Sequence, residues 1–261
     1  SIPFAEPNPF CREALKTTLF TSGLKSALLV LLCLCAAWPA LASNRMTSDG
    51  IRYVDEVSVR VLGSTTLPSV RIAPISGSFV VQSENGSYSR RTGREVVITA
   101  IGNQVEISID GRNERLASIR FLPEAGSALY LKTHNSNHSY AGELEVQSTS
   151  KGLRILNIVP LEDYVASVVG SEYGLDDLEG AKAMAVVART YALYALENGK
   201  ELRDHEGFQV YGGLKRATPA ARRAAQQTAG QVLEHKGNLI EAVYSASNGG
   251  RTASNTTIWG S

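Results

Sequence analysis

Between residues 51 and 159 apolar and polar side chains alternate in short runs. Val57–Val61, Ser78–Gln82, Glu95–Ile101, Gln104–Ile109 and Leu144–Gln147 read as strands, several placing an apolar side chain at every second position, as one buried sheet face requires. Turn-forming pairs stand between the runs: Asn85-Gly86, Gly102-Asn103 and Asp110-Gly111, the last two flanking a single run as successive hairpin turns. This half is predicted to be β-rich and antiparallel.

At Val159-Pro160 the period changes. Leu161, Tyr164, Val165, Val168 and Val169 fall on one face of a helix, which is expected to stop at the break from Gly170 to Leu175. From Asp176 to Asn198 a stripe of Leu178, Ala181, Ala185, Ala188, Ala192 and Ala195 predicts a second helix packed very closely on a neighbour. Asp176 and Asp177 suit its start, where backbone N–H groups lack partners, and Gly199 suits its end. A polar loop through Gln209-Val-Tyr-Gly-Gly213 leads to a third helix that opens at Thr218-Pro219 and runs to Ala229-Gly230. Strands over Val232–His235 and Leu239–Ser245 then flank the turn Lys236-Gly237-Asn238, and the small, polar run Ser245–Gly250 follows. The fold class expected is α+β: an antiparallel β-rich accessory region over 43–155, then a mixed helix/strand domain over 156–261.

The N-terminal stretch alters this picture. Lys16 and Lys25 precede the apolar run Ser26–Ala37, and Ala40 and Ala42 supply small residues beyond it. That is the pattern of a secretory signal peptide, with cleavage expected after Ala42 and residues 1–42 removed as leader and signal. The run is short for a membrane-spanning helix. A retained anchor is the rival reading, and a lipoprotein signal is disfavoured because Leu31 and Leu32 precede Cys33 where a small residue is wanted. Ser1–Leu15, ahead of the basic residues, reads as upstream translation or a long leader. Either way the protein is expected outside the cytoplasm, in the cell envelope. Cys11, Cys33 and Cys35 all lie in the removed segment, so the mature chain is expected to use neither disulfides nor thiolates. With 26 Lys and Arg against 25 Asp and Glu, overall charge offers no reason to expect nucleic acid as a partner.

Three segments point to a family: Asn157-Ile-Val-Pro-Leu-Glu-Asp-Tyr-Val165, Val168-Val-Gly-Ser-Glu172, and Ala181-Lys-Ala-Met-Ala-Val-Val-Ala-Arg-Thr-Tyr-Ala192. Gln209–Gly213, Thr228-Ala-Gly-Gln-Val-Leu233 and Tyr244-Ser-Ala-Ser-Asn-Gly-Gly-Arg-Thr252 continue the same pattern in order. Over about residues 155 to 261 the chain resembles the SpoIID/LytB family. The resemblance implies action on peptidoglycan, in one of two ways: lytic transglycosylases that cut glycan strands, or modifiers that enhance an amidase. The partners implied are glycan strands and a cell-wall amidase or other envelope protein. It also implies that the domain continues past Trp259-Gly260.

In the transglycosylases the catalytic acid is the Glu of a Ser/Gly-Glu-Met-Pro segment, which corresponds to Glu172. Here Tyr173-Gly174 replaces Met-Pro, which puts the shape of the cleft in doubt. A single acid can suffice, because the muramic 6-hydroxyl can attack its own anomeric carbon, whereas ordinary glycosidases need a second carboxylate. Glu172 is expected in a turn between two apolar helices, where partial desolvation would favour its protonated form. Tyr211 is a candidate for stacking on a glycan or, equally, for the core. Ser245, Ser247 and Asn248, beside Gly249-Gly250, are candidates for a loop whose backbone approaches a sugar. Arg189, set among alanines, is expected to pair with Glu162 or Asp163. Some relatives carry a zinc site of His and Cys near this loop, but Ser245 and Ser247 stand there, and His134 and His138 have no evident third ligand. No metal and no cofactor is expected.

Overall fold

The computed structural model describes residues 45–46, 52–174, 177–245, 250, 254 and 257. The segment expected as leader and signal peptide, together with Ser247 and Asn248, lies outside the described residues.

After a small pair, β1 (Arg45–Met46) and β2 (Arg52–Tyr53), the chain forms β3 (Glu56–Val61), β4 (Ser69–Pro74), β5 (Phe79–Ser83), β6 (Ser89–Thr92), β7 (Val96–Ile101) and β8 (Gln104–Ile109). It continues through β9 (Arg112–Leu116), β10 (Ser118–Pro123), β11 (Leu129–Lys132), β12 (Asn137–Tyr140), β13 (Glu143–Thr149) and β14 (Gly152–Pro160). Helices α1 (Leu161–Glu172) and α2 (Leu178–Glu197) follow, then β15 (Leu202–Arg203), a 3-10 turn (Gly213–Lys215), α3 (Pro219–Gln227), β16 (Glu234–His235) and β17 (Asn238–Leu239). The α+β class stands, with an antiparallel β-rich first half.

Two larger sheets face each other. One has the order β15-β3-β14-β13-β10-β5-β6, the other β12-β11-β4-β7-β8-β9. Every pair is antiparallel except β15 on β3. Alternation works as the sequence pattern requires: β14 buries Leu153, Ile155, Asn157 and Val159 and turns the intervening residues away. Between the sheets, Phe79 meets Phe121 edge to face at 5.7 Å, among Ile98, Ile107, Leu144 and Val146, all fully buried. The turn Asp110-Gly111 has both φ angles positive, at 49° and 74°, the backbone that a two-residue hairpin of matching twist requires. β14 pairs with β13 along its length and with β3 on its other side, so residues 155 and 156 sit side by side within one strand.

The helices pack on one another and against β14, β3 and β15, and their ends follow local chemistry. Asp177 caps α2, its carboxylate accepting the N–H groups of Glu179 and Gly180 at 3.1 and 3.0 Å. Thr218 caps α3 by accepting Ala221 N–H at 3.2 Å, with Pro219 in the first turn. The alanine stripe is buried as expected, with Ala181, Ala185, Ala188, Ala192 and Ala195 facing inward. Small side chains let helix backbones approach closely.

Three expected boundaries shift. α1 does not stop at Gly170 but runs on to Glu172. Gly170 is a contact residue, since a Cβ there would sit 1.8 Å from the Arg216 carbonyl oxygen. The last hairpin is shorter than its apolar runs suggest: β16 and β17 have two residues each, around Lys236-Gly237 at φ 52° and 77°. α3 ends at Gln227, where Thr228 turns its hydroxyl back onto the Ala224 carbonyl at 2.9 Å. No helix among the described residues is long and apolar enough to cross a membrane.

Candidate active site

The last turn of α1 delivers Glu172 to the surface, exposed, rather than in the interhelical turn anticipated for it. Its carboxylate is nevertheless held. Oε1 accepts the Val210 N–H at 2.8 Å, and the Tyr244 phenol stands beside the same side chain, near enough to feel its charge.

Behind these contacts runs a chain of donors that begins in the core. Tyr164, fully buried on α1, donates its hydroxyl to Gln209 Oε1 at 2.8 Å. Gln209, also buried, directs Nε2 at the Ala188 carbonyl and at the Tyr244 hydroxyl, both at 3.3 Å. A carbonyl only accepts, so the amide nitrogen must lie on that side and the Tyr244 oxygen receives a proton from it. The Tyr244 proton is then left for Glu172. Burial raises the Tyr244 phenol well above its usual 10.0, with the Gln209 hydrogen bond pulling it down and the Glu172 charge pushing it further up. Tyr244 therefore acts here as a hydrogen-bond donor, not as a base.

Glu172 opens on a cleft of about 310 Å³, walled by the rings of Tyr191, Phe208 and Tyr244 and bounded by Glu206 and Ser245. Tyr191 meets Phe208 edge to face at 5.1 Å and Tyr244 at 6.4 Å, so the rings brace one another in a wall suited to the apolar face of a sugar. Of the residues singled out in the sequence, the fold thus brings Glu172 and Ser245 together. Gln209, Tyr191, Phe208, Tyr244 and the second carboxylate, Glu206, were not named as site residues, although Tyr191, Gln209 and Tyr244 stand inside the motifs. Nothing in a linear motif shows that they share one polar chain.

Tyr211 requires a correction. It is not on the cleft surface: only 4% exposed, it stacks between Tyr140 and Tyr164 at 6.2 and 5.3 Å and donates its hydroxyl to Asn157 Oδ1 at 2.5 Å. Asn157, wholly buried on β14, spends its amide nitrogen on the carbonyls of Ala141 and Glu143 at 2.8 and 2.9 Å. A side chain so enclosed cannot stack on a sugar. Tyr211→Phe leaves Asn157 Oδ1 buried without a donor and is expected to cost about 1–3 kcal/mol of stability. Urea unfolding reads that loss, and glycan affinity measured on the folded variant is expected not to change.

The replacement of Met-Pro also has a local account. Tyr173 ends α1 and donates its hydroxyl to Asp177 Oδ2 at 3.2 Å, the carboxylate that caps α2. The bulky ring thereby stitches the end of one helix to the start of the next. Arg189 is buried scaffold and chooses Glu162 of its two expected partners; Asp163 pairs instead with Arg222 at 2.8 Å. His138 lies on β12 with Nε2 2.8 Å from Ser136 Oγ, and His134 neighbours Asn135. Among the described residues no group of three His, Cys, Asp or Glu is placed to hold a metal ion.

Comparison with known proteins bears on the same half. Residues 149–235 match the profile of the SpoIID family, described as Stage II sporulation protein. Over 84 residues, 32% of this chain, it is 43% identical to the Amidase enhancer of Bacillus subtilis (strain 168), of which that match covers 12%. An uncharacterized protein of Brachyspira hyodysenteriae is 32% identical over 127 residues, 46% of this chain and 34% of that protein. The chain spans well under half the length of either relative. No solved structure matches it significantly.

Proposed function

Because residues 149–235 form a SpoIID/LytB-family segment, we propose that this protein works in the cell envelope and cleaves the glycan strands of peptidoglycan as a lytic transglycosylase. The observation that carries the reading is a glutamic acid at the mouth of an aromatic cleft, its carboxyl group held by the Val210 amide beside the Tyr244 hydroxyl.

Glu172 gives its proton to the oxygen between the muramic acid C1 and the next sugar as that bond breaks. The muramic 6-hydroxyl closes on C1, the carboxylate recovers the hydroxyl proton, and a 1,6-anhydro end is left. No water is consumed, and one carboxyl group serves both steps. Ring closure within a single sugar supplies the proximity that a second carboxylate would otherwise provide. Ser245 borders the cleft, and Ser247 and Asn248 follow it in sequence; we assign the three to sugar binding. Residues 1–42 act in this reading as the export signal, and the β-rich half serves as an accessory region.

A second reading has its own support. The Bacillus relative is named for enhancing an amidase, and this chain lacks the Met-Pro that follows the acid in the transglycosylases. A binding module that stimulates a cell-wall amidase would keep the aromatic cleft and dispense with the acid.

Mass spectrometry of purified glycan strands, with and without stem peptides, after incubation with the mature protein separates the two. New 1,6-anhydro-muramic ends are expected. Strands that are bound but gain no such ends sink the transglycosylase and leave the amidase-enhancing module.

A further inference from the structure

The Glu172 cleft does not end at Glu206. Glu206 and Gly207 also border a depression that continues to Asp204 and His205, and those two in turn border a hollow that reaches Arg60, Gly63 and Ser64. Beyond it, the loop Leu62–Thr66 opens on a concavity of about 600 Å³ between the segment Leu67–Arg71 and the turn Lys132–Ser136. Each hollow shares lining residues with the next. Together they form a track from the candidate acid into the β-rich half.

The topology explains why these hollows join. β15 runs parallel to β3, so the loops that leave their C-terminal ends emerge at the same end of the sheet. Asp204 Oδ2 accepts the Leu62 N–H at 2.6 Å and holds the two loops side by side. One loop leads to the acid, the other to the distant groove.

The chemistry along the track is that of a polar, anion-bearing ligand. Ser64, Thr65, Thr66 and Asn135 offer hydroxyl and amide groups. Arg60, Arg154 and Arg203 crowd around one carboxylate, Glu201, with Arg60 at 3.7 Å and Arg203 at 3.3 Å, so positive charge is in excess there. Arg60 Nε is buried without a hydrogen-bond partner. At the far end Lys132 lines the groove with no ion-pair partner among the described residues. Asp204 and Glu206 keep their charge along the stretch nearer the cleft, so the positive excess sits around Glu201 and at Lys132.

We propose that this track binds the unreacted length of a glycan strand, with Arg203 and Lys132 reading carboxylates on its sugars. The proposal rests on the assignment of a glycan as ligand of the Glu172 cleft. It makes the β-rich half a substrate-binding element, and it predicts that affinity grows with strand length beyond what the cleft covers.

The test compares binding of a tetrasaccharide and of a long denuded strand, whose lactyl carboxylates are free, to the intact protein at low and high salt. In the wild type the long strand is expected to bind about tenfold more tightly, an advantage that salt weakens. The double variant Arg203→Glu, Lys132→Glu is expected to lose that advantage. Arg115→Glu, an equal change of sign on β9, is expected to keep it. Equal affinity for both lengths in the wild type, or a length advantage that survives the double reversal, overturns the track. Cleavage is scored separately: anhydro ends formed without any length advantage remove the track and leave the transglycosylase, whereas a charge-sensitive length advantage without anhydro ends removes the transglycosylase and leaves the track.

Discussion

Replacing Glu172 by Gln is expected to lower the formation of 1,6-anhydro ends about 10²- to 10⁴-fold, the contribution of one positioned acid/base group. The substitution keeps the shape of the side chain and an oxygen that can still accept the Val210 N–H. Folding should therefore be spared, because the residue is exposed at the end of α1. Tyr244→Phe supplies the graded companion. It removes the hydroxyl that stands between Gln209 and Glu172 while leaving the carboxyl group present, so the loss should be about tenfold and fall on kcat rather than KM, as for a misoriented group. Equal activity in wild type and Glu172→Gln would remove this residue from the chemistry. An unchanged kcat in Tyr244→Phe would reduce the chain from Tyr164 through Gln209 to a packing feature.

The largest expected effect on stability lies at Arg189. This guanidinium is fully buried and holds Glu162 with two nitrogens, at 2.9 and 2.5 Å. Its other hydrogens reach the carbonyls of Gln231 and Ala225, each at 3.1 Å. One side chain on α2 thus joins α1, α3 and the segment that leads to the last hairpin. Arg189→Met withdraws the guanidinium from the Glu162 carboxylate and from the Gln231 and Ala225 carbonyls, and the cost is expected to be about 3–5 kcal/mol. For a domain of this size, at about 2–4 °C per kcal/mol, that places the melting midpoint about 6–20 °C lower. Arg189→Lys should recover little, since an ammonium cannot present the planar fork that meets both carboxylate oxygens. The double variant Arg189→Met, Glu162→Leu should recover much of the loss, because it removes the carboxylate together with the guanidinium that faced it. A double variant no better than the single one would show that the arginine acts through its carbonyl contacts instead.

Local chemistry made several of these elements legible in the chain. Asp177, Thr218 and Pro219 announce helix starts because an oxygen within three residues can meet the free N–H groups, a relation that needs no distant partner. Gln104–Ile109 could be read with its bounds intact because the alternation is strict and a glycine or Asp-Gly turn closes each end. By contrast β12, Asn137-His-Ser-Tyr140, carries little apolar signal, and it is a strand because β11 lies beside it. Gly170 looks like a helix breaker until the Arg216 carbonyl is set against it.

The same division runs through the site. From the chain alone came the α+β class, which rests on residue type and short spacing, and the resemblance to the SpoIID/LytB family, which implies Glu172 as the candidate acid. The role of Tyr211 came only from the fold, because its partner Asn157 is 54 residues away. Likewise, the contact that directs Tyr244 at Glu172 joins Gln209 to a residue 35 positions on. The track beyond the cleft depends on β15 lying parallel to β3, a pairing across more than a hundred residues. Periodicity and caps are written locally, because backbone geometry repeats every two or 3.6 residues. Which side chains meet across the molecule is decided by sheet order and helix packing, and only the folded chain sets those.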